Sequence, residues 1–222
     1  MRHLLDLTHL LEEGVVTAPL SWHPPFHSEQ LGRVDVEGSM THKITFGTHV
    51  GTHIDSPAHM IANGKPTVEN IPLDILIGQA KVFQIPKKSG EMIEEADIRN
   101  IAGLIERKDM VLIHTGADVN WNRPEFFNNY PTFSKEAAEL LVHEGVSLVG
   151  MDTPSPDKTG VPKDDPERNI IHKIFLNAGV YIVEGLENLG KIPCTQVEAI
   201  MLPLKIKGAD GCPVRAVAIY EE

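Results

Sequence analysis

Residues 49–59 read HVGTHIDSPAH and place four histidine or aspartate side chains on alternate positions. These side chains are His49, His53, Asp55 and His59. The neighbouring Thr and β-branched residues favour an extended chain, whereas Gly51 and Pro57 disfavour a helix. Because alternate side chains of an extended chain share one face, the pattern predicts that all four project to the same side.

Imidazole nitrogens and a carboxylate oxygen suit a divalent transition metal such as zinc or manganese. Catalytic zinc sites commonly use three protein ligands and keep one position open, and His49, His53 and Asp55 can supply those three. His59 follows Pro57, where the chain must turn, so it is better placed as an acid/base. A closed four-ligand site and a metal-free polar cluster are the alternatives, and both are less favoured.

The composition of the chain excludes several classes of protein. Its 222 residues are enough to bury a substantial core, and we expect residues 1–222 to form one domain. The net charge of −11 argues against binding to nucleic acid or to an anionic membrane, and the sequence has no apolar run of membrane-spanning length. The acidic N-terminal stretch is a poor secretory signal, so we expect a cytoplasmic protein whose Cys194 and Cys212 are reduced and structural.

The hydrophobic pattern predicts a mixed, β-rich α/β fold. Strands are expected over residues 2–10, 42–55, 80–86, 110–116, 146–155 and 180–186. Helices are expected over residues 94–107, 134–145 and 169–179, and a closing hairpin over 198–220. Ser134 and Gly145 have the residue types of an N-cap and a C-terminal stop. Alternating strands and helices in the second half indicate some parallel pairing.

The pattern His-x-Gly-Thr-His-x-Asp-x-Pro-x-His resembles the signature of the cyclase-like metal-dependent hydrolases, which include bacterial kynurenine formamidase (arylformamidase) and isatin hydrolase. Other segments resemble the family in the same order: DLTH near the start, SW at 21–22, GMDTPSPD at 150–157 and ADGCPVRAV at 209–217. The resemblance therefore covers essentially the whole chain. It implies a single mixed-sheet α/β domain of the swivelling β/β/α type.

The resemblance also implies a second metal site made by a His and a Glu twelve residues apart, and His172 and Glu184 have that separation. Asp55 would bridge this ion to the one held by His49 and His53. The expected cofactor is one or two Zn²⁺ ions per subunit, with Mn²⁺ as an alternative. From the residues alone, His172 would be an isolated histidine and Glu184 a carboxylate at the end of a strand.

The activity that the resemblance implies is hydrolysis of a C–N amide bond by metal-activated water, with His59 as the acid/base. The implied substrate is a small-molecule amide, as for the arylformamidases that convert N-formylkynurenine to kynurenine and formate in tryptophan catabolism. In such relatives a Trp at the place of Trp22 contacts the aromatic substrate. They typically continue with Pro-Gly-Asp, whereas this chain continues with residues 23–26, HPPF.

Because of that departure, hydrolysis of a cyclic amide such as isatin, or of a lactone or ester, is the main alternative. A non-catalytic metal-binding protein is the remote one, and it predicts a coordinatively saturated metal. Asp152 and Ser155 match a further family motif that resembles a turn near the site. The resemblance also implies a homodimer or a higher homo-oligomer.

Overall fold

The computed structural model describes residues 1–63 and 65–221. Its strands are β1 (Arg2–Asp6), β2 (His27–Gly32), β3 (Thr41–Thr45), β4 (His53–Asp55), β5 (Ile77–Gln84), β6 (Met92–Ile93), β7 (Met110–His114), β8 (Thr132–Phe133), β9 (Leu148–Met151), β10 (Tyr181–Glu184), β11 (Gln196–Pro203) and β12 (Gly211–Glu221). Its α-helices are α1 (Val34–Glu37), α2 (Leu73–Leu76), α3 (Glu95–Arg99), α4 (Glu125–Asn128), α5 (Lys135–Glu144) and α6 (Ile170–Asn177). Within these described ranges, no helix has the length and apolar character required to cross a bilayer.

An eight-stranded mixed sheet forms the centre of the fold, in the order β1-β12-β11-β5-β7-β9-β10-β4. β4 also pairs with β12, so seven of the strands close into a ring and β1 extends it beside β12. The pairs between β5, β7, β9 and β10 are parallel, and the other pairs in this sheet are antiparallel. The expected mixed α/β fold, with parallel pairing in the second half and a closing hairpin, is confirmed.

Two hydrophobic cores lie on opposite faces of the parallel strands, because alternate residues of each strand point to opposite sides. Leu112 and Val183 belong to the core shared by strands all around the ring. Ile113 and Ile182 face the other core, where α3, α5 and α6 cover the sheet. A strand buried on both faces leaves little surface for chemistry, so functional side chains are concentrated where strands end.

The predicted helix ends are confirmed for α5, where the Ser134 hydroxyl accepts a hydrogen bond from the Ala137 N–H and Gly145 adopts a left-handed conformation with φ 79°. The helix expected over residues 94–107 is too long. α3 ends at Arg99, and a separate 3₁₀ turn follows at Ala102–Leu104. Gly103 lies within that turn and is a poor helix former, which explains why the helical pattern does not continue.

The extended chain expected from His49 to Asp55 is shorter than predicted, whereas the turn expected at Pro57 is present. Only His53–Asp55 forms a strand, and it is buried between β10 and β12. The chain turns before it, where Gly51 has φ 66°, and enters a 3₁₀ turn at Pro57–His59 after it. The side chains of this segment therefore meet because two turns fold the chain around a short central strand.

Candidate metal centre

Strand pairing within the ring brings two of the predicted ligands, His53 and Glu184, into contact. In the antiparallel pair of β4 and β10, His53 lies directly opposite Glu184, and side chains opposite one another share a face of the sheet. His53 Nε2 accordingly lies 3.3 Å from Glu184 Oε2. Strand pairing across more than a hundred residues of sequence thus creates this part of the site.

Asp55 is fully buried at the middle of the cluster, and its two oxygens face different imidazoles. Its Oδ1 lies 2.8 Å from His49 Nδ1 and 3.5 Å from His53 Nε2. Its Oδ2 lies 3.4 Å from His172 Nε2, which is also 3.1 Å from Glu184 Oε1. The other four side chains predicted as metal ligands therefore cluster around the Asp55 carboxylate.

The donor atoms of this cluster fit a divalent cation. Buried atoms without a hydrogen-bond partner among the described residues include His49 Nδ1, His53 Nε2, both carboxylate oxygens of Asp55, and Glu184 Oε1. Such unpaired atoms are costly inside a protein, and a cation would satisfy them. Ligand atoms at about 2.1 Å from a tetrahedral zinc are roughly 3.4 Å apart. The separations of 2.8–3.5 Å seen here are close to that value.

When no metal is bound, protonated imidazoles offset the negative charge of the buried carboxylates. Burial lowers the pKa of His49, but Asp55 and Asp210 outweigh it and raise the pKa to about 10. Burial likewise lowers the pKa of His172, but its contact with Asp157 and other carboxylates raises it well above the usual range. Both shifts favour the protonated form of these imidazoles when no cation is bound.

We expect Zn²⁺ binding at pH 7 to release about two protons, because His49 and His172 must deprotonate before their nitrogens can act as ligands. Since both pKa values are raised, the apparent affinity should increase as the pH rises from 6 to 8. Calorimetric titration in buffers of different ionisation enthalpy measures the proton count directly. A metal affinity that does not change with pH would contradict this protonation state.

Asp157 orients His172 and was not identified from the sequence. Its Oδ2 lies 2.6 Å from His172 Nδ1 and also accepts the His172 backbone N–H, while its Oδ1 accepts the N–H of Ile171. This carboxylate determines which ring nitrogen faces the metal site, because Nδ1 is occupied and Nε2 is directed at Asp55 and Glu184. Fifteen residues separate Asp157 from His172, so no local spacing could reveal the pair.

Replacement of Asp157 by Asn should reduce metal affinity about 10- to 100-fold, the usual effect of losing a carboxylate behind a ligating histidine. Competition with a chelator of known affinity measures the change. Asp164→Asn, at an exposed position of the same loop, is the matched control and should bind metal as the parent does. Equal affinities for the two variants would show that Asp157 has no part in orienting His172.

His59 lies beside the ligand cluster and shares a partner with His49. Its Nδ1 is 3.2 Å from Asp210 Oδ2, and the same oxygen is 2.8 Å from His49 Nε2. Contacts with these two imidazoles hold the pKa of Asp210 well below its usual range. Because Nδ1 of His59 is engaged, Nε2 is the nitrogen available for proton transfer. The sequence indicated Asp210 only as part of a hairpin turn.

A cavity of about 360 Å³ opens above this cluster. His59, His172 and Glu184 contribute to its lining, together with aromatic side chains that include Trp22 and Tyr130. The Trp22 side chain is 66% exposed, so an aromatic surface is presented to incoming molecules. The structure thus brings together every residue that the sequence suggested for the site: Trp22, His49, His53, Asp55, His59, His172 and Glu184.

Asp152 is also buried but has a different role. Its carboxylate accepts the backbone N–H groups of Thr115, Gly116 and Ala117, so its hydrogen-bonding capacity is already used. His114 and Asp118 lie close enough to Asp152 to form a possible ligand group. This group differs from the Asp55 cluster because the Asp152 oxygens already accept hydrogen bonds from the backbone. Asp152 stabilises a turn. Both cysteines are free thiols, as expected.

Comparison with known proteins agrees with this geometry. Residues 5–158 match the family model described as "Putative cyclase". The "Kynurenine formamidase" of Geobacillus thermodenitrificans is 34% identical over 223 residues, covering 97% of each chain. Two isatin hydrolase A structures align with a TM-score of 0.87: that of Ralstonia solanacearum (24% identity, 99% of this chain and 92% of the other) and that of Labrenzia aggregata (26% identity, 100% and 94%). The chain belongs to the cyclase family and is a hydrolytic enzyme of that family.

Proposed function

We propose that this protein is a metal-dependent amidohydrolase that removes the formyl group from an aryl formamide, with N-formylkynurenine as the substrate and kynurenine and formate as products in tryptophan catabolism. The observation that carries the proposal is the cluster of unpaired imidazole and carboxylate donors around Asp55, next to His59 and a cavity with aromatic walls. Kynurenine formamidase relatives at 34% and 30% identity support the same chemistry.

In this proposal His49, His53 and Asp55 hold one cation, and Asp55 also contributes to a second site with His172 and Glu184. The two oxygens of Asp55 contact different histidines, His49 and His172, and this arrangement supports a bridging role. Zn²⁺ is the proposed metal, and Mn²⁺ suits the same donors. When bound, such a cation polarises a carbonyl group and acidifies a water molecule.

His59 is the proposed acid/base. Its Nε2 accepts a proton from the attacking water as the oxygen adds to the formyl carbon. The same proton then passes to the aryl nitrogen as the C–N bond breaks, so the amine leaves neutral. Asp210 holds Nδ1 and thereby stabilises the protonated imidazole that forms between the two steps.

Trp22 is the proposed contact for the aromatic ring of the substrate. It lies at the cavity wall with His23, whose ring meets the indole edge-on at a centroid distance of 6.4 Å. The flat indole face of Trp22 favours contact with an aryl group, whereas the metal cluster, which also borders the cavity, favours the amide. The cavity volume is sufficient for a single-ring substrate.

The second candidate is hydrolysis of a cyclic amide of the isatin type, or of a lactone or ester, at the same metal centre. It is favoured by the structural similarity to isatin hydrolases and by the HPPF segment that follows Trp22. An assay of the Zn²⁺- and Mn²⁺-loaded protein with N-formylkynurenine, isatin and a simple aryl ester distinguishes these activities.

We expect N-formylkynurenine to be hydrolysed with a kcat/KM above about 10⁴ M⁻¹s⁻¹, in the range of ordinary enzymes, and isatin much more slowly. Faster turnover of isatin or the ester would favour the second candidate. No turnover of any of the three by metal-loaded protein would count against both candidate activities.

We also propose a homodimer or higher homo-oligomer. The hairpin of β2 and β3, with α1 between them, exposes apolar side chains that a second copy would cover: Leu31, Val34, Val36, Met40 and Ile44. Light scattering should give at least twice the 24.5 kDa of one chain. We place the protein in the cytoplasm, which the two free thiols support.

A further inference from the structure

Two cationic side chains line the same cavity as the metal cluster. Lys158 and Arg168 come from opposite ends of the polar loop between β9 and α6, and both border the space that His59 and His172 also line. Lys158 is exposed, and Arg168 is half-buried. Neither residue has a part in the hydrolytic steps described above.

Neither cation has a protein partner among the residues that the structure describes. Within residues 1–63 and 65–221, no ion pair or side-chain hydrogen bond involves the Lys158 ammonium or the Arg168 guanidinium. The carboxylates adjacent to them in sequence are engaged elsewhere: Glu167 pairs with Lys135, and Asp157 is bound to His172. In a chain with a net charge of −11, two unpaired cations bordering one cavity indicate that the cavity receives an anion.

The backbone holds both cations next to the site. The Arg168 N–H donates to the Asp165 carbonyl, and the Arg168 carbonyl accepts a hydrogen bond from Lys173 Nζ at 2.8 Å. Lys158 directly follows Asp157, whose carboxylate is bonded to the first turn of α6. Because these attachments restrict the loop backbone, mainly the two side chains remain to be ordered when a ligand binds.

We propose that Arg168 and Lys158 bind a carboxylate of the substrate that is remote from the scissile amide. Guanidinium forms paired hydrogen bonds to a carboxylate, and an ammonium adds a point charge. This inference rests on the proposed function and deepens it: Arg168 and Lys158 would bind the side-chain carboxylate that N-formylkynurenine carries in addition to its formamide. A neutral cyclic amide such as isatin has no group for these cations.

The test uses 4-(2-formamidophenyl)-4-oxobutanoate and its methyl ester, which differ only in the negative charge. The Zn²⁺-loaded parent should prefer the acid about 10- to 100-fold in kcat/KM, the range expected for hydrogen bonds to a charged group. Arg168→Met and Lys158→Met should each reduce this preference, mainly through KM, and the double variant should abolish it. Lys163→Met, at an exposed position of the same loop outside the cavity lining, should keep the parent's preference.

Equilibrium binding of the two deformylated amines, measured by calorimetry, gives a second readout that does not need turnover. If the parent binds the acid more tightly than the ester and Arg168→Met loses this difference, the inference is supported, even if neither formamide is hydrolysed. A lack of hydrolysis would count only against the proposed function. Equal affinity for acid and ester in the parent, or an unchanged preference in the double variant, would overturn the inference while leaving amide hydrolysis intact.

Discussion

Asp55→Ala is expected to lose bound metal and hydrolytic activity together. Asp55 is fully buried, and its two oxygens face the imidazoles of both proposed ion sites. Its removal leaves His49 and His172 without the group that lies between them, so the loss of metal affinity should exceed the roughly 100-fold found for outer partners of ligands. Metal content per chain after dialysis and kcat/KM with added metal are the two measurements.

Asp74→Ala, an exposed acidic position, is the control for this variant and should keep metal and activity. Circular dichroism of Asp55→Ala tests whether the fold persists. A variant that retains the parent's metal content would disprove the bridging role. Loss of only one of two ions would identify Asp55 as a ligand of a single site.

His59→Ala should separate catalysis from metal binding. Because His59 Nδ1 contacts Asp210 and His59 is not one of the proposed ligands, its loss should leave metal content unchanged. The value of kcat should fall about 10²- to 10⁴-fold, the range for loss of a general acid/base. Single-turnover rates and metal analysis of the same preparation provide the two readouts.

The matched control is His143→Ala, an exposed histidine of α5 far from the cluster in sequence. It should behave as the parent in both measurements. If His59→Ala hydrolyses substrate at the parent rate, the acid/base assignment is wrong. If it loses metal, His59 is itself a ligand, since its nitrogen lies close enough to form a group with His49 and Asp55.

Much of the site could be predicted because its chemistry is concentrated in one short segment. Three imidazoles and a carboxylate within residues 49–59 indicate a metal whatever conformation the segment takes. The strand is shorter than predicted because the chain turns at Gly51, whereas the turn at Pro57 was expected. Helix α5 was predicted with its ends because capping depends on adjacent residues.

The remaining members of the site depend on contacts distant in sequence. Nothing local distinguishes His172 or Glu184, and only the family resemblance selected them. Asp157 and Asp210 act through hydrogen bonds to imidazoles, and such bonds exist only once α6 and the final hairpin have packed. A single sequence reveals side-chain type and local spacing, but it does not reveal which distant carboxylate will meet which histidine.

The pairing of β4 with both β10 and β12 has a consequence for how the protein folds. His49 and Asp210 are 161 residues apart, yet they are hydrogen-bonded beside the metal cluster. Contacts of such high sequence separation are slow to form, so we expect closure of the ring and assembly of the site to be coupled. A cation bound there would act as a removable cross-link between distant segments, and its binding energy would favour the closed ring. Metal supply would then govern the lifetime of the folded chain as well as its activity.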